Sequence, residues 1–96
     1  MRSLNVVVLT QHNCGFCDTA MAMLDRLSAE YPLAISTLSV TSREGQALAL
    51  KCGIHFPPGI VLDGEALCYG RPSEKRLRRA FEQRLSEGKP SVVTKA

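Results

Sequence analysis

The chain of 96 residues lacks the features that mark several large classes of protein. No apolar run approaches the ~20 residues of a membrane-spanning helix, and the apolar stretch 6–9 is too short for the core of a secretory signal. The net charge of +3 is too small to indicate nucleic-acid binding by itself. No repeat, linker or low-complexity segment is visible. We therefore expect one small cytoplasmic domain, a monomer that acts without nucleic acid or membrane.

Aromatic residues are also scarce, at 5% with no tryptophan, whereas cysteine occurs four times. In a cytosolic chain, a Cys-x-x-Cys beside strand and helix patterns indicates redox chemistry rather than structural disulfides. Cys14-Gly15-Phe16-Cys17 is such a motif, between an apolar stretch and a helical pattern. At a helix start, Cys14 would lie at the exposed N-terminus, with Cys17 one turn further on and facing inward. A structural disulfide or half of a metal site is the alternative.

The remaining pattern predicts the element order β-α-β-α-β-β-α. The predicted strands are 4–10, 33–40, 60–62 and 65–69, the last two joined by an Asp63-Gly64 turn. The first predicted helix is 15–31, and Pro32 stops it. The second is a short helix with Thr41 as its N-cap, Glu44 reaching back to that cap and Gly53 ending it. The third runs from the Ser73 cap to residue 87.

These elements predict an α/β fold with a four-stranded mixed sheet flanked by helices. The helical crossover makes the first two strands parallel, and the hairpin supplies an antiparallel pair. We expect residues 1–88 to form the domain and residues 89–96 to be a flexible C-terminal tail.

This order, with Cys-x-x-Cys at the first strand–helix junction, resembles the thioredoxin fold in its small, glutaredoxin-like form. Residues 58–64 resemble the family's segment of a proline, one residue, three apolar residues and a turn. The resemblance implies a cis Pro57–Pro58 bond, with Pro58 facing the dithiol. It also implies thiol–disulfide exchange, as in small bacterial glutaredoxin-related dithiol proteins.

Departures from the family bear on the substrate. Asn13 stands where thioredoxins have a tryptophan, Phe16 where they have a proline, and residues 6–8 are valines where they have a buried acid. At the positions where typical glutaredoxins have characteristic residues, this chain has Gln11, Phe56-Pro57 and the segment 69–73. Much of the family's glutathione-binding set is therefore absent. In the family, the residue before the cis proline offers its backbone N–H and C=O to the substrate. Pro57 has no N–H, so only the carbonyl half remains.

The resemblance and the helix-start position assign roles. We expect Cys14 to attack a substrate disulfide, in a disulfide-containing protein or in the mixed disulfide of a small thiol substrate such as glutathione, and Cys17 to resolve the mixed disulfide that forms. Glutathione or a reductase would be the external reductant, with no bound cofactor and no metal. We expect substrate contacts from Phe16, Phe56, Pro57 and Pro58, with core packing as the alternative for both phenylalanines.

His12 and His55 are candidate modulators of the site's charge, with inert solvent-facing histidines as the alternative. Cys52 and Cys68 are interpreted as buried, unreactive thiols. The basic cluster on the last helix is typical of a solvated face; it comprises Lys75, Arg76, Arg78 and Arg79.

Two other functions stay open. Cys-Gly-Phe-Cys differs at one place from the Cys-Gly-Phe-Ser of monothiol glutaredoxins that carry a shared 2Fe–2S cluster completed by glutathione. A glutathione-assisted cluster-binding module is therefore one alternative, although the depleted glutathione site argues against it. The other is a redox-responsive interaction domain without turnover.

Overall fold

The computed structural model describes residues 3–12 and 14–87. Seven elements follow in the expected order: β1 (Leu4–Thr10), α1 (Gly15–Leu27), β2 (Leu33–Ser39), α2 (Arg43–Cys52), β3 (Gly59–Leu62), β4 (Glu65–Tyr69) and α3 (Glu74–Glu87). The sequence-based α/β fold is confirmed. The expected domain end at residue 88 and the tail 89–96 lie outside the described residues.

The four strands form one mixed sheet in the order β2-β1-β3-β4. Strand β1 pairs in parallel with β2, from Leu4 opposite Leu33, and antiparallel with β3, where Leu9 lies opposite Gly59. Strands β3 and β4 form the expected antiparallel hairpin, with an irregularity that leaves Leu67 as an extra residue in β4. The sheet therefore has β1 and β3 at its centre.

The central strands are covered on both faces, which explains the unbroken apolar run in β1. Val6 and Val8 are fully buried on the face that α1 and α3 cover, together with Leu24 and Phe81. Leu9 lies on the opposite face, in a smaller cluster against which α2 packs. Burying a side chain of this size contributes about 1.5–3 kcal/mol. None of the helices in the described part of the chain has the length and apolar content needed to span a membrane.

The predicted end of α1 at Tyr31 is wrong, because the helix ends at Leu27. The Ser28 hydroxyl donates to the Asp25 carbonyl oxygen at 2.6 Å, and the Tyr31 N–H donates back to Leu27 at 2.9 Å. These bonds close turns in place of further helix. Tyr31 still packs on Phe81, with ring centroids 5.5 Å apart, which is why it continues the apolar pattern of the helix.

The predicted cap of α2 is displaced by one residue. Ser42, not Thr41, is the N-cap, and its Oγ accepts from the Gly45 N–H at 2.9 Å. The Ser42 N–H donates to the Ser39 carbonyl oxygen at 3.1 Å, so a turn ends β2 at Ser39 before the helix can begin. The expected cap of α3 is confirmed, since the Ser73 Oγ accepts from the Arg76 N–H at 3.3 Å.

Candidate active site

The two thiols of the Cys-x-x-Cys motif lie at the start of α1, as the sequence predicts. Cys14 is the N-cap residue, in extended conformation, and Cys17 lies in the first turn. The two side chains are joined as a disulfide, with their Cα atoms 5.2 Å apart. The Cys14 Sγ also accepts a hydrogen bond from the Cys17 N–H at 3.2 Å. Cys14 therefore lies where unpaired helix N–H groups favour a negative charge.

The two cysteines differ in their exposure to solvent. Cys17 is only 4% exposed and lies on the apolar stripe of α1, whose buried members include Ala20 and Leu24. Cys14 is half-buried at the helix start. This asymmetry is the one that the sequence predicts for an attacking and a protected thiol.

A surface depression of about 560 Å³, which we call the dithiol depression, contains both cysteines. His12 lies in its lining, so the structure brings this candidate modulator to the thiols. Sequence reasoning missed Met21 and Ser39, which also line it. No motif points to either residue, because they come from the middle of α1 and the end of β2. The described residues that line it are Thr10, Gln11, His12, Cys14, Cys17, Asp18, Met21 and Ser39.

The proline segment lies at the same edge of the sheet as the thiols. The Pro57–Pro58 bond is cis, as the family resemblance implies. Leu9 and Gly59 pair across β1 and β3, so the residues before Gly59 lie beside the end of β1, where the chain leads to Cys14. Pro58 is fully buried, and its carbonyl oxygen accepts from the Gly70 N–H at 2.8 Å.

Three aromatic rings lie together next to this segment, and we call them the aromatic group. Tyr69 makes edge-on contacts with His55 and Phe56, with centroid distances of 5.4 and 5.0 Å. Phe56 and Phe16 are 56% and 52% exposed, so core packing, the alternative for both, is wrong. Sequence reasoning missed the position of Tyr69, because the irregularity in the β3–β4 pairing is what places it opposite Gly59.

A second, more apolar groove of about 660 Å³ begins at the aromatic group and runs along α2; we call it the apolar groove. Leu50, 84% exposed, is its most accessible apolar side chain. Gln11 lines both the apolar groove and the dithiol depression, so the two adjoin. The lining of the apolar groove is Gln11, Val40, Gln46, Ala49, Leu50, Gly53, Ile54, His55, Phe56 and Pro57.

Comparison with known proteins assigns the chain to a family. No family model matches the chain. A protein of Archaeoglobus fulgidus named "Probable Thioredoxin" is 31% identical over 76 residues, which are 79% of this chain and 84% of that protein. The chain belongs to the thioredoxin family. The thioredoxin of Methanocaldococcus jannaschii is 26% identical over 85 residues, or 88% of this chain and all of that protein.

Solved thioredoxin structures agree with this assignment. A mutant thioredoxin from Halobacterium salinarum is 26% identical and superposes with a TM-score of 0.65, over 83% of this chain and 73% of that one. Oxidized mitochondrial thioredoxin 3 of Saccharomyces cerevisiae shares the fold, with a TM-score of 0.63 at 20% identity over 83% and 77% of the two chains. The predicted membership of the thioredoxin-fold superfamily is confirmed, and the protein is a thioredoxin-like thiol–disulfide oxidoreductase.

One departure of this thioredoxin-family protein is visible in its core. Val6 and Val8 are fully buried in β1, and no charged or polar side chain in the described ranges 3–12 and 14–87 is buried. The buried acid that the family places on this strand is therefore replaced by apolar packing.

The other two cysteines lie apart from the dithiol. Cys52 and Cys68 are half-buried rather than buried, and they line a separate surface depression with Arg76. Burial is the main cause that raises the pKa of the Cys68 thiol, which keeps it protonated at neutral pH. Among the residues that the structure describes, no three His, Cys, Asp or Glu side chains are grouped as metal ligands.

Proposed function

We propose that the protein reduces disulfides of other proteins by a dithiol mechanism in which Cys14 attacks and Cys17 resolves. The observation that supports this assignment best is the contrast between the two sulfurs, since Cys17 is 4% exposed and Cys14 is half-buried at the helix N-terminus. An incoming disulfide reaches Cys14 first, and Cys17 remains one turn away in the protein.

The reaction starts from the reduced pair. The Cys14 thiolate attacks one sulfur of the substrate disulfide, that S–S bond breaks, and the released sulfur takes a proton from solvent. The Cys17 thiol then loses its proton and attacks the Cys14 Sγ, which breaks the mixed disulfide and releases the second substrate thiol. The substrate gains two electrons and two protons, and the protein is left with the Cys14–Cys17 bond that the structure contains.

The helix start supplies the electrostatic support for the first step. A free cysteine has a pKa of ~8.5, and a helix N-terminus lowers it by favouring the thiolate. The Cys17 N–H, 3.2 Å from the Cys14 Sγ, is the donor placed to stabilise that charge. Because no buried acid accompanies the pair, we propose that the Cys17 proton leaves through the dithiol depression, where His12 is a candidate acceptor.

Protein disulfides fit the surroundings better than glutathione mixed disulfides. The dithiol adjoins an apolar groove with exposed Leu50 and Phe56, and exposed apolar patches are typical of protein contacts. Pro57 offers no N–H for backbone pairing with glutathione or with an extended peptide, so binding has to rely more on side-chain contacts, which a protein substrate supplies over a larger area. We keep glutathione and a reductase as alternative external reductants, with no bound cofactor, and propose a cytoplasmic location.

A trapping experiment tests the two roles. Cys17→Ser should retain a mixed disulfide with a model protein disulfide such as insulin, detected as an adduct by mass spectrometry and released by dithiothreitol. Cys14→Ser is the matched control and should form no adduct. Wild type should catalyse insulin reduction, and both variants should lose turnover. Equal trapping by the two variants contradicts the assigned roles.

The same preparation separates the two alternative functions. Visible absorption after reconstitution with iron, sulfide and glutathione would favour the 2Fe–2S module. A reversible Cys14–Cys17 bond without reduction of any disulfide substrate would favour a redox-responsive interaction domain. Either result, with no insulin turnover, contradicts the proposed activity.

A further inference from the structure

A groove between β4 and α3 lies apart from the dithiol, and we call it the α3 groove. Its volume is about 490 Å³, and it continues into a depression of about 370 Å³ with which it shares Leu67, Ala80 and Gln83. No cysteine is among the described residues that line either part. The lining of the α3 groove is Leu67, Ser73, Lys75, Arg76, Arg79, Ala80 and Gln83.

The cations of this groove differ from the other cations of α3. Arg78 binds carboxylates of Glu30 and Glu74, at 2.7 and 3.1 Å, and Arg84 binds Glu65 at 2.7 Å. Arg76 and Arg79, like Lys75 in the same lining, form no ion pair with another residue of the described chain. Among the residues that the structure describes, no Asp or Glu lines the α3 groove, and Glu65 in the adjoining depression is paired with Arg84. Arg78 and Arg84 are thus paired with carboxylates, whereas the cations of the α3 groove have no ion-pair partner among the described residues.

The floor of the groove is apolar. Leu67 is the extra residue of the β4 irregularity, between Ala66 paired with Val61 and Cys68 paired with Ile60. It lines the groove with Ala80, and both side chains are half-buried. A ligand that fits this lining combines negative charge at the rim with an apolar group at the floor.

We propose that the α3 groove binds an acidic segment of a partner protein, with an apolar side chain of that segment seated on Leu67 and Ala80. Side-chain carboxylates pair with Lys75, Arg76 and Arg79, and the Gln83 amide donates a further hydrogen bond. A nucleic acid fits less well, because binding to a single strand uses aromatic stacking platforms and the groove lining contains no aromatic residue. The overall charge of +3 is also small for a nucleic-acid protein.

The proposal is tested by titrating the full, isotopically labelled protein with a short synthetic peptide of aspartate and glutamate that has one central leucine. The amide signals of Leu67, Arg76, Arg79 and Gln83 should shift and saturate, and the shifts should shrink as salt is raised. A peptide of the same length with asparagine and glutamine in place of the acids should not bind. A short DNA of matched charge is the third probe.

Charge removal locates the interaction. Arg76→Gln with Arg79→Gln should weaken peptide binding about five- to tenfold, given the modest value of exposed ion pairs. The matched control, Arg43→Gln with Lys51→Gln, removes the same charge from α2, where neither cation is in an ion pair with another described residue, and should leave the affinity unchanged. Thermal unfolding and insulin reduction should be unaltered in the two double variants.

A substitution that keeps side-chain size gives a second check. Gln83→Glu is almost isosteric, places a carboxylate at an exposed position of the groove, and should weaken binding of the acidic peptide. No peptide binding, equal weakening by the two double variants, or preferential binding of DNA would each overturn the proposal. None of these results affects the dithiol mechanism, which insulin reduction measures separately.

Discussion

Gly70 directly follows β4 and lies against the ring of Phe56, so we predict that Gly70→Ala destabilises the protein. Gly70 has a φ of +84°, a conformation that side chains disfavour. A Cβ added there would lie 2.9 Å from Cε1 and 3.6 Å from Cζ of Phe56. The ring would have to move away from Tyr69, on which it packs edge-on at 5.0 Å.

Two costs add up in this variant. A left-handed conformation costs a residue with a Cβ about 1–2 kcal/mol, and loss of an edge-to-face aromatic pair costs about 0.5–1.5 kcal/mol. We therefore expect Gly70→Ala to lower the free energy of unfolding by about 2–3 kcal/mol. Gly64 is a matched control, because its φ is +86° and an added Cβ would meet nothing within 4 Å. Gly64→Ala should show only the first cost.

The assay is urea unfolding of the oxidised protein, followed by circular dichroism, for both glycine variants, for Phe56→Ala and for Phe56→Ala with Gly70→Ala. Once the ring is absent, Gly70→Ala should cost no more than Gly64→Ala, which gives a coupling of about 1 kcal/mol between Gly70 and Phe56. Equal costs for the two glycine variants in the wild-type background would refute the reasoning. So would an excess cost that persists without the ring.

Three further predictions concern charge, substrate binding and thiol reactivity. Hydrogen bonds from Arg78 lower the pKa of Glu30 and Glu74 below the ordinary 4.5, so their pairing stabilises the protein above that pH and is lost as pH falls through the lowered values. Arg78→Gln should flatten the decline of the urea midpoint between about pH 6 and pH 3, and an unchanged profile contradicts this. Pro57→Val restores a backbone N–H and should lower the KM for a glutathione mixed disulfide; an unaltered KM would count against backbone pairing at this position. Because burial raises the pKa of Cys68 above the value of a free cysteine, its alkylation by iodoacetamide, mapped by peptide mass, should lag behind that of a free cysteine at pH 9, and equal rates would contradict the effect of burial.

The parts of the fold that follow from short-range patterns could be read from the sequence. The apolar run in β1, the Asp63-Gly64 turn and the Ser73 cap each depend on neighbouring residues, and the structure has all three. The spacing of Cys14 and Cys17 likewise predicts their relative placement. With Cys14 at the start of the helix, Cys17 lies about one turn further on, on the stripe of α1 that faces the core.

The parts that depend on competing local bonds or distant contacts could not be read in this way. Tyr31 has the spacing of a helical apolar residue, yet hydrogen bonds of the following turn end α1 at Leu27, and only the distant Phe81 ring explains its apolar position. The contact between Phe56 and Tyr69 joins a loop to the end of β4 and depends on hairpin register. Cys68 lies beside the irregularity of that hairpin, which no sequence signal marks, and it is half-buried rather than buried.

The segments that form the site come together at one edge of the sheet. The Leu9–Gly59 pair brings the proline segment to the end of β1, and the Val40 N–H donates to the Thr10 carbonyl oxygen at 2.8 Å, which brings the end of β2 to the same place. Three loops therefore meet at one edge of the sheet, and loops carried by a sheet can vary without disturbing it. The dithiol lies at the start of α1, whereas the surface around it comes largely from these loops, with Gln11 bordering both the dithiol depression and the apolar groove. Variation in these loops explains how the chain can keep the dithiol of its family while it lacks the tryptophan and much of the glutathione-binding set. The loss of the buried acid is a separate change inside β1, where apolar Val6 and Val8 fill the core.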